Sequence, residues 1–179
     1  TVPMVRSDDR GLFTVTVPDD PGAYRLGFSA GTATWEAEDP YRFLPTLGEL
    51  DFHLFGEGQH HQIWRRLGAR AIEHMGAAGT SFAVWAPNAI GVRLAGDFNL
   101  WDLRLQPMRR IGASGVWELF VSGAHEGERY KYEIHGSDGA FTMHADPYAR
   151  ASEAPPATAS AITETHYSWQ DAEWLEHLN

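Results

Sequence analysis

The side chains best suited to chemistry in this sequence are aromatic, amide and ammonium groups in three short segments. The segments are GDFNLWD (96–102), YKYEI (130–134) and DGAF (138–141). An aromatic ring can stack on the apolar face of a sugar, while amide and ammonium groups donate hydrogen bonds to its hydroxyls. The residues of these types are Asn99, Trp101, Lys131 and Phe141. They indicate a carbohydrate-binding surface, although Trp101 could instead cap a core and Lys131 could be a solvated charge.

Other kinds of chemical site are poorly supported by the sequence. There is no Cys, so no thiolate can act as a nucleophile or bind a metal. Nine His are present, but His60 and His61 are adjacent and therefore diverge, and no HExxH motif occurs. Phosphate-binding glycine motifs and the GxSxG elbow are also missing. The many acidic residues lie in turns and flanking segments, where no spacing indicates the carboxyl pair of a glycosidase. We therefore expect no catalytic residue, no metal site and no cofactor.

A run of short strands must position the candidate site. Between residues 80 and 165 the apolar residues alternate with polar ones, and turn residues recur about every 8–12 positions. Trp117, Leu119 and Val121 share one face of a strand, and Tyr130 and Tyr132 share one face of another. Lys131 then lies on the face away from the core. This pattern predicts an all-β fold, an antiparallel sandwich or barrel.

The part of the chain before residue 80 has a different character. Short alternating strands are predicted between residues 11 and 36, too few to bury a core by themselves. Residues 37–79 contain few β runs, and Ile63 and Leu67 lie four apart, as on one face of a short helix over Gln62–Leu67. This stretch is therefore interpreted as a connector with one or two helical turns.

Length and charge exclude several classes of protein. The chain has 179 residues, whereas a (β/α)₈ barrel takes about 250. The formal net charge is −10 without a basic stripe, so nucleic acid and anionic membranes are poor partners. No stretch approaches the ~20 apolar residues of a membrane span, and the first residues lack the apolar run of a signal peptide. Together with the absence of Cys, this favours a cytoplasmic location.

The motifs from about residue 79 to 166 also resemble a known family. They are, in order, TSFAVWAPNAIGVRLAGDFNLWD, PMRR, GVWELFV, GERYKYEI, ADPYA and PP-TAS. They are similar to the family 48 carbohydrate-binding module in the amino-terminal region of bacterial 1,4-α-glucan (glycogen) branching enzymes. The upstream segment DPYRFLPTLGELDFHLFGEG resembles the one that precedes this module in the same enzymes. That segment favours branching enzymes over debranching or trehalose-forming enzymes, which carry the module as well.

The resemblance implies a fold and a domain organisation. It implies an immunoglobulin-like antiparallel β-sandwich, preceded by a partial smaller β domain and a short helical connector. The implied domains are a partial β domain (1–45), a connector (46–79), the carbohydrate-binding module (80–166) and the lead-in to an absent catalytic barrel (167–179). Within the module, Trp101 matches the family's sugar-stacking Trp, Lys131 its neighbouring Lys, and Phe141 the position of a second Trp. The family's catalytic Asp and Glu residues belong to the barrel, so none is carried over.

The resulting hypothesis is the noncatalytic amino-terminal part of a branching enzyme. The parent enzyme, a glycosyltransferase of glycogen biosynthesis, transfers α-1,4-glucan segments to 6-hydroxyls to form α-1,6 branches. This part is expected to be inactive by itself, to bind or orient α-glucan such as glycogen or maltooligosaccharides, and to pack on its own catalytic barrel. One alternative is a stand-alone glycogen- or starch-binding regulatory module. Another is an interdomain scaffold, in which exposed aromatics including Trp169 and Trp174 pack on a barrel.

Overall fold

The chain forms two compact units. The structure, a computed structural model, describes residues 1–19, 22–164 and 170–171. The units are Thr1–Asp39 and Pro40–Asn179. Of the lead-in predicted at 167–179, Trp169 and Trp174 lie outside the described residues. No helix in the described part is long and apolar enough to cross a membrane.

The first unit consists of two antiparallel hairpins. Its strands are β1 (Val5–Arg6), β2 (Phe13–Thr14), β3 (Leu26–Ala30) and β4 (Ala33–Ala37), with β1 paired to β2 and β3 paired to β4. The rings of Phe28 and Trp35 stack across the second hairpin with centroids 5.4 Å apart. Strands β2, β3 and all but the last residue of β4 lie within residues 11–36, where the alternation of apolar residues predicts strands, whereas β1 precedes that range. Among the residues described in this unit none is buried, so its strands pack on no core of their own.

The second unit is a sandwich of two antiparallel sheets. Its strands are β5 (Gly68–His74), β6 (Ala77–Trp85), β7 (Ala89–Gly96), β8 (Arg109–Arg110), β9 (Val116–Ser122), β10 (Arg129–Gly136), β11 (Phe141–His144), β12 (Ala151–Ser152) and β13 (Ser160–Ala161). The first sheet has the order β5-β6-β9-β8. In the second sheet β10 is central, with β7 on one side and β11 and β13 on the other, and β12 pairs with β13. The all-β, immunoglobulin-like sandwich predicted from the sequence is confirmed.

The main core lies between these two sheets. Tyr130 and Tyr132 of β10 are fully buried and face Phe82 of β6 and Leu119 of β9, which are fully buried as well. The rings of Phe82 and Tyr130 meet edge-on, with centroids 5.0 Å apart. The residues between the core residues of β10, including Lys131, therefore point away from the core, because successive side chains of a strand alternate in direction.

A second apolar cluster lies on the other face of the first sheet. It is covered by the segment that contains helix α1 (Glu49–Gly56) and short 3₁₀ turns at Pro40–Arg42 and Ile63–Arg65. Phe43 packs on Phe120 of β9 with ring centroids 4.6 Å apart. Residues from both faces of β9 are thus buried, which explains why Val116–Val121 has no exposed member.

Strand β5 is the main element that the sequence pattern does not predict. It lies within the predicted connector at 46–79 and pairs with β6 from Gly68↔Ala83 to His74↔Ala77. Its core-facing side presents Ala69 rather than a large apolar residue, so its sequence carries a weak strand signal. The helical turn expected at Gln62–Leu67 is present as a 3₁₀ turn. The predicted domain limits stay predictions, while β5 belongs to the sandwich.

Candidate functional site

Trp101 is held at the surface by the turn that follows β7. The chain makes a 3₁₀ turn at Asp97–Asn99, and Leu100 and Trp101 then adopt left-handed backbone angles, with φ of 53° and 62°. Such angles are unfavourable for residues with a Cβ and are often found at functional positions. The indole Nε1 of Trp101 donates to Asp97 Oδ1 at 2.9 Å, and 37% of the residue is exposed. One aromatic ring is therefore oriented by a hydrogen bond and open to solvent.

Asp97 joins this turn to strand β10. Its Oδ2 accepts hydrogen bonds from the backbone N and the Nε of Arg129, at 2.9 and 3.0 Å. The Nη1 of Arg129 in turn donates to Glu153 Oε1 at 3.1 Å. The hydrogen bonds from Arg129 lower the pKa of Asp97 from 3.8 to about 2, with a smaller contribution from Trp101. The orientation of the Trp101 ring thus depends on the ion pair between Asp97 and Arg129, which lie far apart in sequence.

Asn99 is engaged within the turn rather than at the surface. The residue is buried, and its Oδ1 accepts from Gly96 N at 2.9 Å. Its Nδ2 donates to Leu94 O at 3.0 Å and to Gln106 Oε1 at 2.6 Å. The amide is therefore used inside the protein, where it fixes the turn that carries Trp101, and it presents no free donor to a sugar.

Lys131 lies next to this turn on the solvent-facing side of β10. Its register partner is Ala95 of β7, and the neighbouring pair is Tyr130↔Gly96. Since Trp101 N donates to Gly96 O at 2.9 Å, the base of the Trp101 turn and Lys131 lie side by side. The Nζ of Lys131 donates to Thr158 Oγ1 at 2.6 Å. The structure thus brings two of the four predicted residues, Trp101 and Lys131, to one surface.

Phe141 lies on the same face of the sheet but further along it. It pairs with His135, four residues from Lys131 on β10, which corresponds to about 13 Å along the strand. Its ring stacks on that of His135 with centroids 4.1 Å apart. Met143, which pairs with Glu133, lies nearer to Lys131. The register therefore separates Phe141 from Trp101 and Lys131.

The charges around Trp101 favour binding over acid–base catalysis. Hydrogen bonds lower the pKa of Glu153 as well as that of Asp97; for Glu153 the backbone N–H of Ala159 contributes most and Arg129 next. A glycosidase needs one carboxyl group whose pKa is raised so that it can donate a proton at neutral pH. Both carboxylates here are ionised and engaged with Arg129. The described residues also contain no group of three or more His, Asp or Glu suited to a metal ion.

The residues that support Trp101 and Lys131 carry no signal in the local sequence pattern. Asp97, Arg129 and Glu153 support Trp101, and Thr158 supports Lys131; the hydrogen-bonded pairs Asp97–Arg129, Arg129–Glu153 and Lys131–Thr158 join residues 24 to 32 positions apart. A local pattern carries no information on pairs of that separation. The available signal was the position of Asp97 directly after β7, where a carboxylate can accept bonds from the following turn.

The comparisons with known proteins agree with this architecture. Residues 66–149 match the family model of carbohydrate-binding module 48, described as the isoamylase N-terminal domain. This segment of the chain is thus similar to family 48 carbohydrate-binding modules. The match begins at residue 66, so it includes β5, in accord with the sheet that the structure shows.

Nearly the whole chain is similar to one kind of enzyme. It is 57% identical over 166 residues to 1,4-alpha-glucan branching enzyme GlgB of Kitasatospora aureofaciens, covering 92% of this chain and 21% of that protein. It is 55% identical over 174 residues to 1,4-alpha-glucan branching enzyme GlgB 1 of Streptomyces coelicolor, covering 97% and 22%. The chain spans about a fifth of the length of these relatives. The resemblance to the amino-terminal region of bacterial branching enzymes is confirmed.

A more distant likeness exists among solved structures. The pullulanase of Bacillus acidopullulyticus is 32% identical, and the match covers 55% of this chain and 12% of that chain with a TM-score of 0.45.

Proposed function

We propose that this chain is the glucan-binding, noncatalytic part of a 1,4-α-glucan branching enzyme. The observation that carries the proposal is the Trp101 ring, oriented by its bond to Asp97 and placed beside Lys131 on one open sheet face. Stacking of a glucose ring on Trp101, with a hydrogen bond from Lys131, uses the residues that the structure brings together. The negative net charge of the protein does not oppose glucan binding at this surface, since the ligand carries no charge.

A titration with maltoheptaose tests the binding site directly. We expect Trp101→Ala to abolish the heat of binding and Lys131→Gln to weaken affinity about tenfold, ~1.4 kcal/mol. Trp85→Ala is the matched control, because Trp85 is also an exposed indole, 56% accessible, but lies on the other sheet. Equal affinity of the Trp101 and Trp85 variants would contradict the proposed site.

The similarity to branching enzymes supports a role within a longer protein. The relatives are more than four times as long as this chain, so we propose that the chain orients glucan for a catalytic barrel on which it packs. The absence of Cys suits a cytoplasmic location. The chain itself is expected to have no branching activity, because its site carboxylates are engaged with Arg129. Incubation with amylose should leave the iodine stain unchanged, and a clear loss of stain would contradict this.

A further inference from the structure

Three arginines approach one another at the start of β5, on the sheet that does not carry Trp101. Gly68 has φ of +90°, and a Cβ at this position would lie 2.8 Å from the carbonyl oxygen of Tyr148. The loop at residue 148 therefore passes directly over the first residue of β5. Arg66 and Arg70 are each two residues from Gly68, and Arg150 is two residues from Tyr148. The close backbone approach thus brings three arginines of two segments near one another.

Within the described part of the chain, one carboxylate is bound to this group of arginines. The buried Asp51 accepts from Gly48 N at 3.1 Å and His60 Nε2 at 3.0 Å, and its Oδ1 lies 2.9 Å from Arg66 Nε. This contact orients Arg66 and leaves both of its terminal nitrogens without a hydrogen bond within the described part of the chain. Arg66 is 43% exposed at its side chain, so these nitrogens are accessible.

Arg70 and Arg150 have no carboxylate of their own. Among residues 1–19, 22–164 and 170–171, neither makes a salt bridge or a side-chain hydrogen bond. Arg70 is half-buried. Burial, together with the charges of Arg66 and Arg150, lowers the pKa of Arg70 from its usual value. All three groups nevertheless remain protonated at neutral pH. The cluster thus carries three positive charges against one negative charge, in a chain whose net charge is −10.

We propose that Arg66, Arg70 and Arg150 form a binding site for a phosphate group, either free or as a sugar phosphate ester. A guanidinium group presents paired N–H donors that match two oxygens of a phosphate. A dianionic phosphate also offsets the excess positive charge that a single carboxylate leaves uncompensated. The site is independent of the glucan surface, because β5 and β10 belong to different sheets.

Calorimetric titration of the full chain with inorganic phosphate and with glucose 6-phosphate tests this site, with glucose and chloride at matched ionic strength as controls. Both phosphates should bind and the controls should not. Tighter binding of the ester would show that the sugar contributes, and equal binding that the phosphate alone is recognised; either supports the site. Arg70→Gln and Arg150→Gln should each weaken binding at least about fivefold, ~1 kcal/mol. Arg150 is exposed, so its replacement leaves the core unaltered.

Arg110→Gln provides the matched control. This exposed arginine lies on β8, at the edge of the same sheet opposite to β5, and its replacement changes the net charge by the same amount. We expect its phosphate affinity to equal that of the wild-type chain. Absence of phosphate binding, or equal losses in the Arg110 and Arg150 variants, would overturn the proposal. Maltoheptaose binding is measured in parallel, and the Arg150 variant should retain it. The phosphate site and the glucan site are therefore tested independently of each other.

Discussion

Replacing Asp97 with Asn should destabilise the fold in a pH-dependent way. The carboxylate accepts four hydrogen bonds, three from Arg129 and one from the indole of Trp101. Arg129 lies 32 residues away in sequence, so the unfolded chain does not maintain this contact. The Asn variant removes the charge while nearly conserving the shape of the side chain, and the effect therefore reports the ionic contribution.

The size of the effect follows from the pKa of Asp97. A decrease from 3.8 to about 2 on folding corresponds to ~2.5 kcal/mol at about 1.4 kcal/mol per unit. Solvent screening reduces this at a site whose side chain is 28% exposed, so we expect a loss of about 1 kcal/mol. Because the folded-state pKa is depressed, the stabilisation is present above pH 4 and disappears as the pH falls from about 4 to about 2.

Urea unfolding of both proteins at several pH values measures this contribution. The difference in free energy of unfolding between the wild type and the Asp97→Asn variant should be constant at neutral pH and shrink towards pH 2. Asp102→Asn is the matched control. The pKa of Asp102 is also lowered to about 2, chiefly by hydrogen bonds from Arg104. That partner is only two residues away and is itself 86% exposed. The unfolded chain can therefore keep much of this contact, and its loss should have a negligible effect. A difference for Asp97 that is the same at pH 2 and pH 7 would refute the reasoning.

Three further substitutions test other features of the fold, each by urea unfolding. Gly79→Ala should lower the free energy of unfolding by more than about 2 kcal/mol, since its Cβ would lie 2.3 Å from the carbonyl oxygen of Val121; an unchanged midpoint would contradict this. Tyr130→Phe should lower it by about 2 kcal/mol, because the buried carboxylate of Asp146 loses a hydrogen-bond donor at 2.6 Å; a neutral result would refute the importance of that bond. Leu100→Gly should leave it unchanged or raise it by up to about 1 kcal/mol, since Leu100 has φ of 53° and is 89% exposed; a loss of stability would show that its backbone is not strained.

The sandwich was predictable from sequence because its strands have strong alternation. Tyr130 and Tyr132 are fully buried, as their spacing on β10 indicates. Strand β5 was not predictable in the same way, since its core-facing residue Ala69 is small and Arg70 lies on its other face. A strand of small residues is recognised only when its hydrogen-bonded partner, here β6, is known.

The site was predictable only in part, for a different physical reason. The indole ring of Trp101 is suited to stacking on a sugar, and the partial exposure of this residue is consistent with that role. Asn99 has an equally suitable amide, yet its hydrogen bonds to the turn consume it. The residue type determines which hydrogen bonds a side chain can donate. Only the three-dimensional contacts show whether a donor is already used within the protein.

The most direct test of the glucan surface is to map maltoheptaose binding by ¹H–¹⁵N NMR on the full chain. We predict that the largest amide shift changes occur at Gly96–Trp101 and at Arg129–Lys131, and that the Trp101 indole N–H shifts as well. Shift changes confined to other surfaces, such as those around the exposed Trp64 and Trp85, or no shift changes at millimolar sugar, would contradict it.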